Sequence, residues 1–460
     1  MYDFYEDIKK RGDRIAYRYF RNGSLNEVTY REYYSDICAC LENLKEEYGD
    51  ITGKHVAILG NNCYEYLVLI AALLLGKAVV VPVNIRESSD NIAEILKDAE
   101  IDYEIRQSEG LLGKLCTSRR YKEYSHSFDT SDEARLAMII YTSGTTGKSK
   151  GVMLSLKNLF DRKRNILPKE YVADEAKDDL LSTYLVFPLY HAAGLCSWLS
   201  WCNRGCLTYI NEDMGSMLDE LKEIKIDFSF VSPAIMQLWK KRLKRGGAAM
   251  LGGIKAVGTT GAPIDKALVD FFVKNGIDYC QFYGMTETFG DVTYNSNVTD
   301  KVESVGKIVN DADLRINDGE ICVSSWNCMM GYYNNPAETA AIVKDGYVYT
   351  GDLGCIDEDG YVFITGRKKN LIILSGGENV SPEELENLLY RNTLIKECKV
   401  FEREDKIIAA VFAAESSEED IRQYVSELNK ELPIFKRIHT VEFQNAEFEK
   451  TASGKIKRNN

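Results

Sequence analysis

The stretch YLVLIAALLLGKAVVVPV, residues 66–83, leaves a chain few ways to fold. It is greasy enough to suggest a membrane, but Gly76 and Lys77 interrupt it before the roughly 20 apolar residues that a crossing helix needs. Its first half is rich in leucine and its second in β-branched valine. That pattern reads as a buried helix followed by a buried strand. The same alternation surrounds it: HVAILG (55–60) reads as a strand, 64–75 as a helix, AVVVPV (78–83) as a strand and 89–99 as a helix. It resumes with strands at 137–141, 183–187 and 228–231, a helix at 233–245, a strand at 254–258, a helix near 264–274 and a strand at 279–283. Such recurrence points to an α/β fold with largely parallel sheets.

From about residue 300, Gly and Asp turns separate short strands in GEICVSS, GYVYTGDLG and GYVFITGRKK, which suggests a small β-rich unit. Ser381, Pro382 and Glu384 then supply an N-cap, a first-turn proline and a capping-box acid, so a helix starts there. Strands at about 397–402 and 406–414, a helix at 418–431 and a strand at 438–443 complete a compact α+β segment. The expected boundary lies at 367–370, dividing the chain into domains 1–367 and 368–460.

Composition narrows the function. The net charge of −13 gives no basic excess for nucleic acid. The opening MYDFYEDIKKRGDR places acids within its first six residues and has no secretory apolar core. The chain is expected to be cytoplasmic, with no integral membrane association. Among the 12 cysteines, the closest pairs are Cys38/Cys40 and Cys202/Cys206, neither at zinc-site spacing, and the histidines at 55, 126, 191 and 439 do not cluster. Buried thiols in a reducing compartment are the expectation.

The loop YTSGTTGKSKG (141–151) concentrates hydroxyls, glycines and lysines, the makings of an anion site. It is not a Walker loop. Thr142 stands where the first glycine should be, and GVMLS continues as a strand instead of opening a helix. With FPLYHAAG (187–194), TTGAPI (259–264), YGMTET (283–288), YTGDLG (349–354), GRKKNLIILSGGENVSPEELE (366–386) and KTASGKIKR (450–458), it resembles the adenylate-forming superfamily: acyl-CoA synthetases, nonribosomal peptide adenylation domains and luciferase. The pattern is most similar to the acyl-CoA synthetases.

The resemblance implies a large N-terminal domain of stacked α/β subdomains with a small β-rich unit, then a small mobile α+β C-terminal domain. It implies ATP and Mg²⁺, a small-molecule carboxylic acid, and CoA or a carrier-protein phosphopantetheine as thiol. Thr142, Ser143, Thr145, Thr146 and Lys148 would wrap the departing phosphates, with Gly144 and Gly147 admitting close backbone approach. Gly261, Ala262 and Pro263 would face the nucleotide, Tyr283 would stack on adenine beside Gly284, and Thr286 would bond the α-phosphate. Glu287 would hold Mg²⁺, and Asp352 and Arg367 the ribose. Lys369 would be the hinge, Gly376 and Gly377 would face the thiol channel, and His191 would gate the acid. Lys455 would offset repulsion between carboxylate and α-phosphate, although Glu449 stands where the family often has proline. Three readings stay open at this level: a fatty or aryl acid–CoA ligase, a stand-alone enzyme loading a carrier protein, and a non-catalytic nucleotide-binding relative.

Overall fold

The computed structural model describes residues 4–116, 132–142, 149–160, 181–262, 264–309, 311–376, 378–414, 417–449 and 456–458. Two compact units emerge, 1–313 with 323–348, and 314–322 with 349–460. The expected junction at 367–370 falls inside the second, at the helical turn Lys368–Asn370 that follows the strand Val362–Arg367.

In the first unit the greasy run folds as the helix Tyr64–Leu75, with every residue from Tyr66 to Leu74 buried, and then the strand Val79–Val83. A helix apolar on all sides needs cover on all sides. The helix Phe4–Arg11 supplies part of it, the Tyr5 hydroxyl donating to the Ala71 carbonyl at 2.7 Å. Among the described residues, no helix is long and apolar enough to cross a membrane.

Two sheets organise this unit. In a six-stranded sheet, Leu136–Thr142, Val79–Val83, His55–Leu59 and Tyr103–Arg106 run parallel, and Lys150–Ser155 and then Gly331–Tyr332 add on beyond Leu136–Thr142, each antiparallel to the strand before it. In a nine-stranded sheet, the parallel centre is Asp278–Met285, Ala256–Thr259, Phe228–Val231, Ser182–Leu185, Leu207–Ile210 and Ile15–Arg21. Gly290–Asn295, Lys307–Ile308 and Ser24–Thr29 extend it antiparallel. Val56, Val80 and Met138 of one sheet and Phe228, Phe230 and Phe282 of the other share a single core with the helices Tyr30–Tyr48, Tyr64–Leu75 and Ala192–Arg204.

The strand expected over 183–187 stops at Leu185, because Pro188 brings no N–H to the ladder. The helix expected beyond Ser155 is Leu156–Phe160. All 12 cysteines are free thiols; the sulfurs of Cys40 and Cys116 lie 3.7 Å apart.

In the second unit, the strand Val362–Arg367 pairs antiparallel with Tyr347–Ile356, next to Glu320–Ser324. A hairpin of Ile372–Ile373 and Asn379–Val380 leads to the helix Pro382–Leu389. Ile395–Arg403 and Lys406–Ala413 then form an antiparallel pair, and Glu418–Glu431 crosses over to the parallel strand Ile438–Gln444. Ser381 caps its helix as expected, accepting from the Glu384 N–H at 3.3 Å. The reciprocal half of the capping box is not made. The Glu384 carboxylate instead accepts from Lys436 at 2.7 and 2.8 Å, an ion outbidding a neutral amide.

Candidate active site

In open parallel sheets, ligands gather outside the carboxyl ends of the strands. Two neighbouring strands of the nine-stranded sheet, in register at Thr259 and Gln281, end in motifs expected to meet the nucleotide. One turns at Thr260 and Gly261, whose φ of +80° is natural for glycine. Ala262 follows half-exposed, and Pro263 lies outside the described residues.

The other strand carries Tyr283, which is 8% exposed, and enters a tight turn at Thr286–Thr288. Gly284 is forced by packing: a Cβ there would lie 2.1 Å from the Gly290 carbonyl oxygen. The fully buried Thr288 hydroxyl accepts from the Met285 N–H at 3.1 Å and donates to the Gly290 carbonyl at 2.8 Å. Phe289, with φ +32°, drops its ring into the core. Thr286 is thereby held half-exposed at the turn, and Glu287 is turned inward.

Glu287 accepts from the Tyr332 hydroxyl at 2.7 Å through Oε1. Burial and the Glu287 charge push the Tyr332 phenol well up, so it stays a donor. Among the described residues, Oε2 of Glu287 has no hydrogen-bond partner. A buried carboxylate with one oxygen held by a neutral phenol and the other open suits a hard cation. The fit to Mg²⁺ is therefore good.

Tyr332 also connects this carboxylate to the hydroxyl-rich loop. Lys150, which pairs across the base of that loop with Thr142, lies 5.4 Å from the Tyr332 ring centre and 2.5 Å from the Glu338 carboxylate. The Tyr333 N–H donates to the Gly151 carbonyl at 2.7 Å, lacing the segments together. Sequence reasoning counted Lys150 among the lysines of the donor-rich loop without giving it a role of its own, and missed Tyr332 and Glu338. Lys150 was visible in the loop motif, but its partners lie almost two hundred residues away and carried no signal of their own. Ser143, Gly144, Thr145, Thr146, Gly147 and Lys148 lie outside the described residues.

His191 stands just before the helix Ala192–Arg204, its ring 4.8 Å from that of Tyr190 and edge-on. The side chain keeps an exposed edge, yet the protein around the ring desolvates it and lowers its pKa; Glu87 opposes this and Arg86 adds to it. Near neutral pH the imidazole is uncharged. A row of rings starts at Phe187, four residues earlier in the chain. Phe187 is 6.2 Å from Phe230, Phe230 is 4.9 Å from Phe282, and Phe282 is 5.0 Å from Tyr294. Gly258 makes room for this row, since a Cβ there would press within 3.0 Å of both Phe228 and Phe230.

The second unit holds the expected ribose pair in direct contact. Asp352 and Arg367 face each other across two strands, with Nε 2.5 Å from Oδ1. Asp352 is 4% exposed and its N–H donates to the Thr350 hydroxyl at 3.0 Å. Gly351, at φ +73°, donates its N–H to Glu320, which also accepts from Lys368 at 2.8 Å. Gly351, Arg367, Lys368 and Lys369 line one shallow pocket. Lys369 is exposed on the turn Lys368–Asn370. Gly376 sits in a turn braced by Ser375, which donates to Asp405 through its N–H and hydroxyl. Gly377 and Lys455 lie outside the described residues.

Comparison with known proteins agrees with this geometry. The AMP-binding enzyme model matches residues 4–333, and the AMP-binding enzyme C-terminal domain model matches residues 384–455. The 2-succinylbenzoate–CoA ligase of Listeria monocytogenes is 30% identical over 423 residues, covering 88% of this chain and 87% of that protein. A feruloyl-CoA synthase from Amycolatopsis is 29% identical, covering 93% of this chain and 92% of that one. The o-succinylbenzoate CoA synthetase of Bacillus subtilis, solved with its acyl-adenylate intermediate, superposes with a TM-score of 0.82 at 22% identity, covering 99% and 97% of the two chains. The same Bacillus enzyme has been solved with ATP and magnesium ion, at a TM-score of 0.81.

Proposed function

The chain belongs to the AMP-binding enzyme family as an AMP-forming acid–CoA ligase, and from that premise we propose that its acid is an aryl carboxylate. The reaction has two halves. A carboxylate oxygen bonds to the α-phosphorus of ATP as the bond to pyrophosphate breaks. The CoA sulfur then bonds to the acyl carbon, the thiol proton leaves, and AMP departs. The protein's contribution to the first half is positioning and charge neutralisation.

In this reading, Thr286 and the turn at Gly261 and Ala262 hold the nucleotide's phosphate and base edges, and Tyr283 stacks on adenine. Asp352, already oriented by Arg367, accepts from the ribose hydroxyls. Glu287 is the Mg²⁺ ligand, and Tyr332 fixes its rotamer. Mg²⁺ supplies neutralisation of phosphate charge when bound. Thr142 and the loop residues Ser143, Gly144, Thr145, Thr146, Gly147 and Lys148 grip the departing pyrophosphate. Lys455 supplies the cation for the reacting end, Lys369 the pivot, and Gly376 and Gly377 the wall of the thiol path. Neutral His191 offers the acid a hydrogen bond without competing as an ion.

The observation that carries the aryl assignment is the row of rings ending at Phe187, four residues before His191. Ring-on-ring contacts add about 0.5–1.5 kcal/mol each beyond burial. A flexible alkyl chain gains no such contact. The names of two similar enzymes, acting on succinylbenzoate and forming feruloyl-CoA, point the same way. The test is ATP-dependent pyrophosphate release with benzoic, cinnamic, octanoic and palmitic acids and phenylalanine, each with CoA. Turnover per unit KM should be at least tenfold higher for the aryl acids. Preference for octanoate or palmitate would overturn the aryl assignment and leave the ligase chemistry standing.

A further inference from the structure

Asn62 lies in the loop between the strand His55–Leu59 and the helix Tyr64–Leu75, at the carboxyl edge of the six-stranded sheet. Its side chain is 8% exposed and both ends of its amide are used. Nδ2 donates to the Phe187 carbonyl at 3.0 Å, and Oδ1 accepts from the Leu189 N–H at 2.8 Å. Between those two residues stands Pro188, which has no N–H to give. The segment has left the strand Ser182–Leu185, so its backbone groups have no ladder to join. The amide of Asn62 serves as a one-residue substitute for a neighbouring strand.

Pro188 is fixed from the other side as well. Its carbonyl accepts from the His191 N–H at 3.1 Å. At Gly194, a Cβ would lie 2.2 Å from that same oxygen, so the helix Ala192–Arg204 begins hard against it. The loop that carries Asn62 is itself braced, the Asn61 N–H donating to Gln107 at 2.9 Å and the Tyr64 N–H to Glu212 at 3.3 Å. A rigid loop of one sheet therefore holds the backbone from which the Phe187 ring and the His191 imidazole project on the other.

We propose that Asn62 is a positioning residue for acid recognition, clamping Phe187 and Leu189 so that the ring and the imidazole meet the acid in one fixed arrangement. The proposal rests on the reading that Phe187 and His191 border the acid. Asn62 touches neither the nucleotide motifs nor the reacting groups, so its loss acts on the acid and spares ATP. Its loss leaves a buried carbonyl and N–H unpaired, which favours movement of the segment toward other partners.

The test compares Asn62→Ala and Asn62→Asp with His191→Ala and Phe187→Ala in the full chain, using cinnamic and octanoic acids as probes. Asn62→Ala should raise KM for the acid at least tenfold and leave KM for ATP within twofold. Asn62→Asp keeps the acceptor for Leu189 but not the donor for Phe187, and should fall between. NMR titration supplies a readout independent of turnover. The His191 imidazole signal should titrate at higher pH in Asn62→Ala than in wild type, as the ring gains solvent. Should the alanine variant lack a cooperative thermal transition, the aspartate variant carries both comparisons. Equal changes in the two KM values, or none, with His191→Ala or Phe187→Ala raising the acid KM, would overturn the role of Asn62. If those two controls leave the acid KM unchanged, the gate reading has failed instead. Unaltered titration of His191 would then overturn the clamp as well.

Discussion

Glu386, on the helix Pro382–Leu389, is a buried carboxylate that accepts from the Val400 N–H at 2.7 Å and pairs with Arg458. Burial pushes it up to about 7, with Arg458 pulling against that rise and Glu383 adding to it. The ordinary carboxylate releases its proton near pH 4.3, so between there and pH 7 the folded chain holds a proton that the unfolded chain has lost. Stability from this group is present below that window and falls as pH rises through it. Glutamine keeps an acceptor for Val400 without the charge. Between pH 5 and pH 8, wild type should therefore lose on the order of 2 kcal/mol relative to Glu386→Gln in denaturant unfolding. A difference that does not change with pH would show that the Arg458 pair fully compensates the burial.

The hairpin that carries Tyr283, Thr286 and Glu287 depends on two strands approaching so closely that Gly284 admits no side chain. Gly284→Ala should cost about 1–3 kcal/mol by overpacking and shift the turn at Thr286–Thr288. Adenylation should fall at least tenfold by pyrophosphate release; full activity would mean the turn does not position the nucleotide. Elements set by local apolar patterns were legible in advance. The helix Tyr64–Leu75, the strand Phe228–Val231 and the helix Glu418–Glu431 fall where their patterns place them, because burial on all sides or strong amphipathicity leaves little choice. Elements set by distant partners were not. Gly331–Tyr332 is a two-residue strand that exists only against Lys150–Ser155. Glu384 looked like half of a capping box until Lys436, 52 residues on, claimed it. The same limit applied at the site: the motifs singled out Asp352 and Arg367, which the structure brings into contact, whereas the Tyr332 hydrogen bond to Glu287 and the Asn62 bonds to Phe187 and Leu189 needed three dimensions.

At the scale of the whole chain, the residues to which we assign chemistry are divided between two compact units. Of the residues assigned roles above, Tyr283, Thr286, Glu287 and His191 belong to one, and Asp352, Arg367 and Lys369 to the other. We propose that Lys455 serves the first half of the reaction and not the second, with Lys369, inside the second unit, as the pivot. A cation that offsets repulsion between carboxylate and α-phosphate is worth most where two anions must meet, and has no such task once the acyl-adenylate exists. The most direct test is to measure both half-reactions of Lys455→Ala separately. Pyrophosphate release with acid and ATP should fall at least 100-fold, while thioester formation from supplied acyl-adenylate and CoA should stay within about threefold of wild type. Equal loss in both halves would contradict the account.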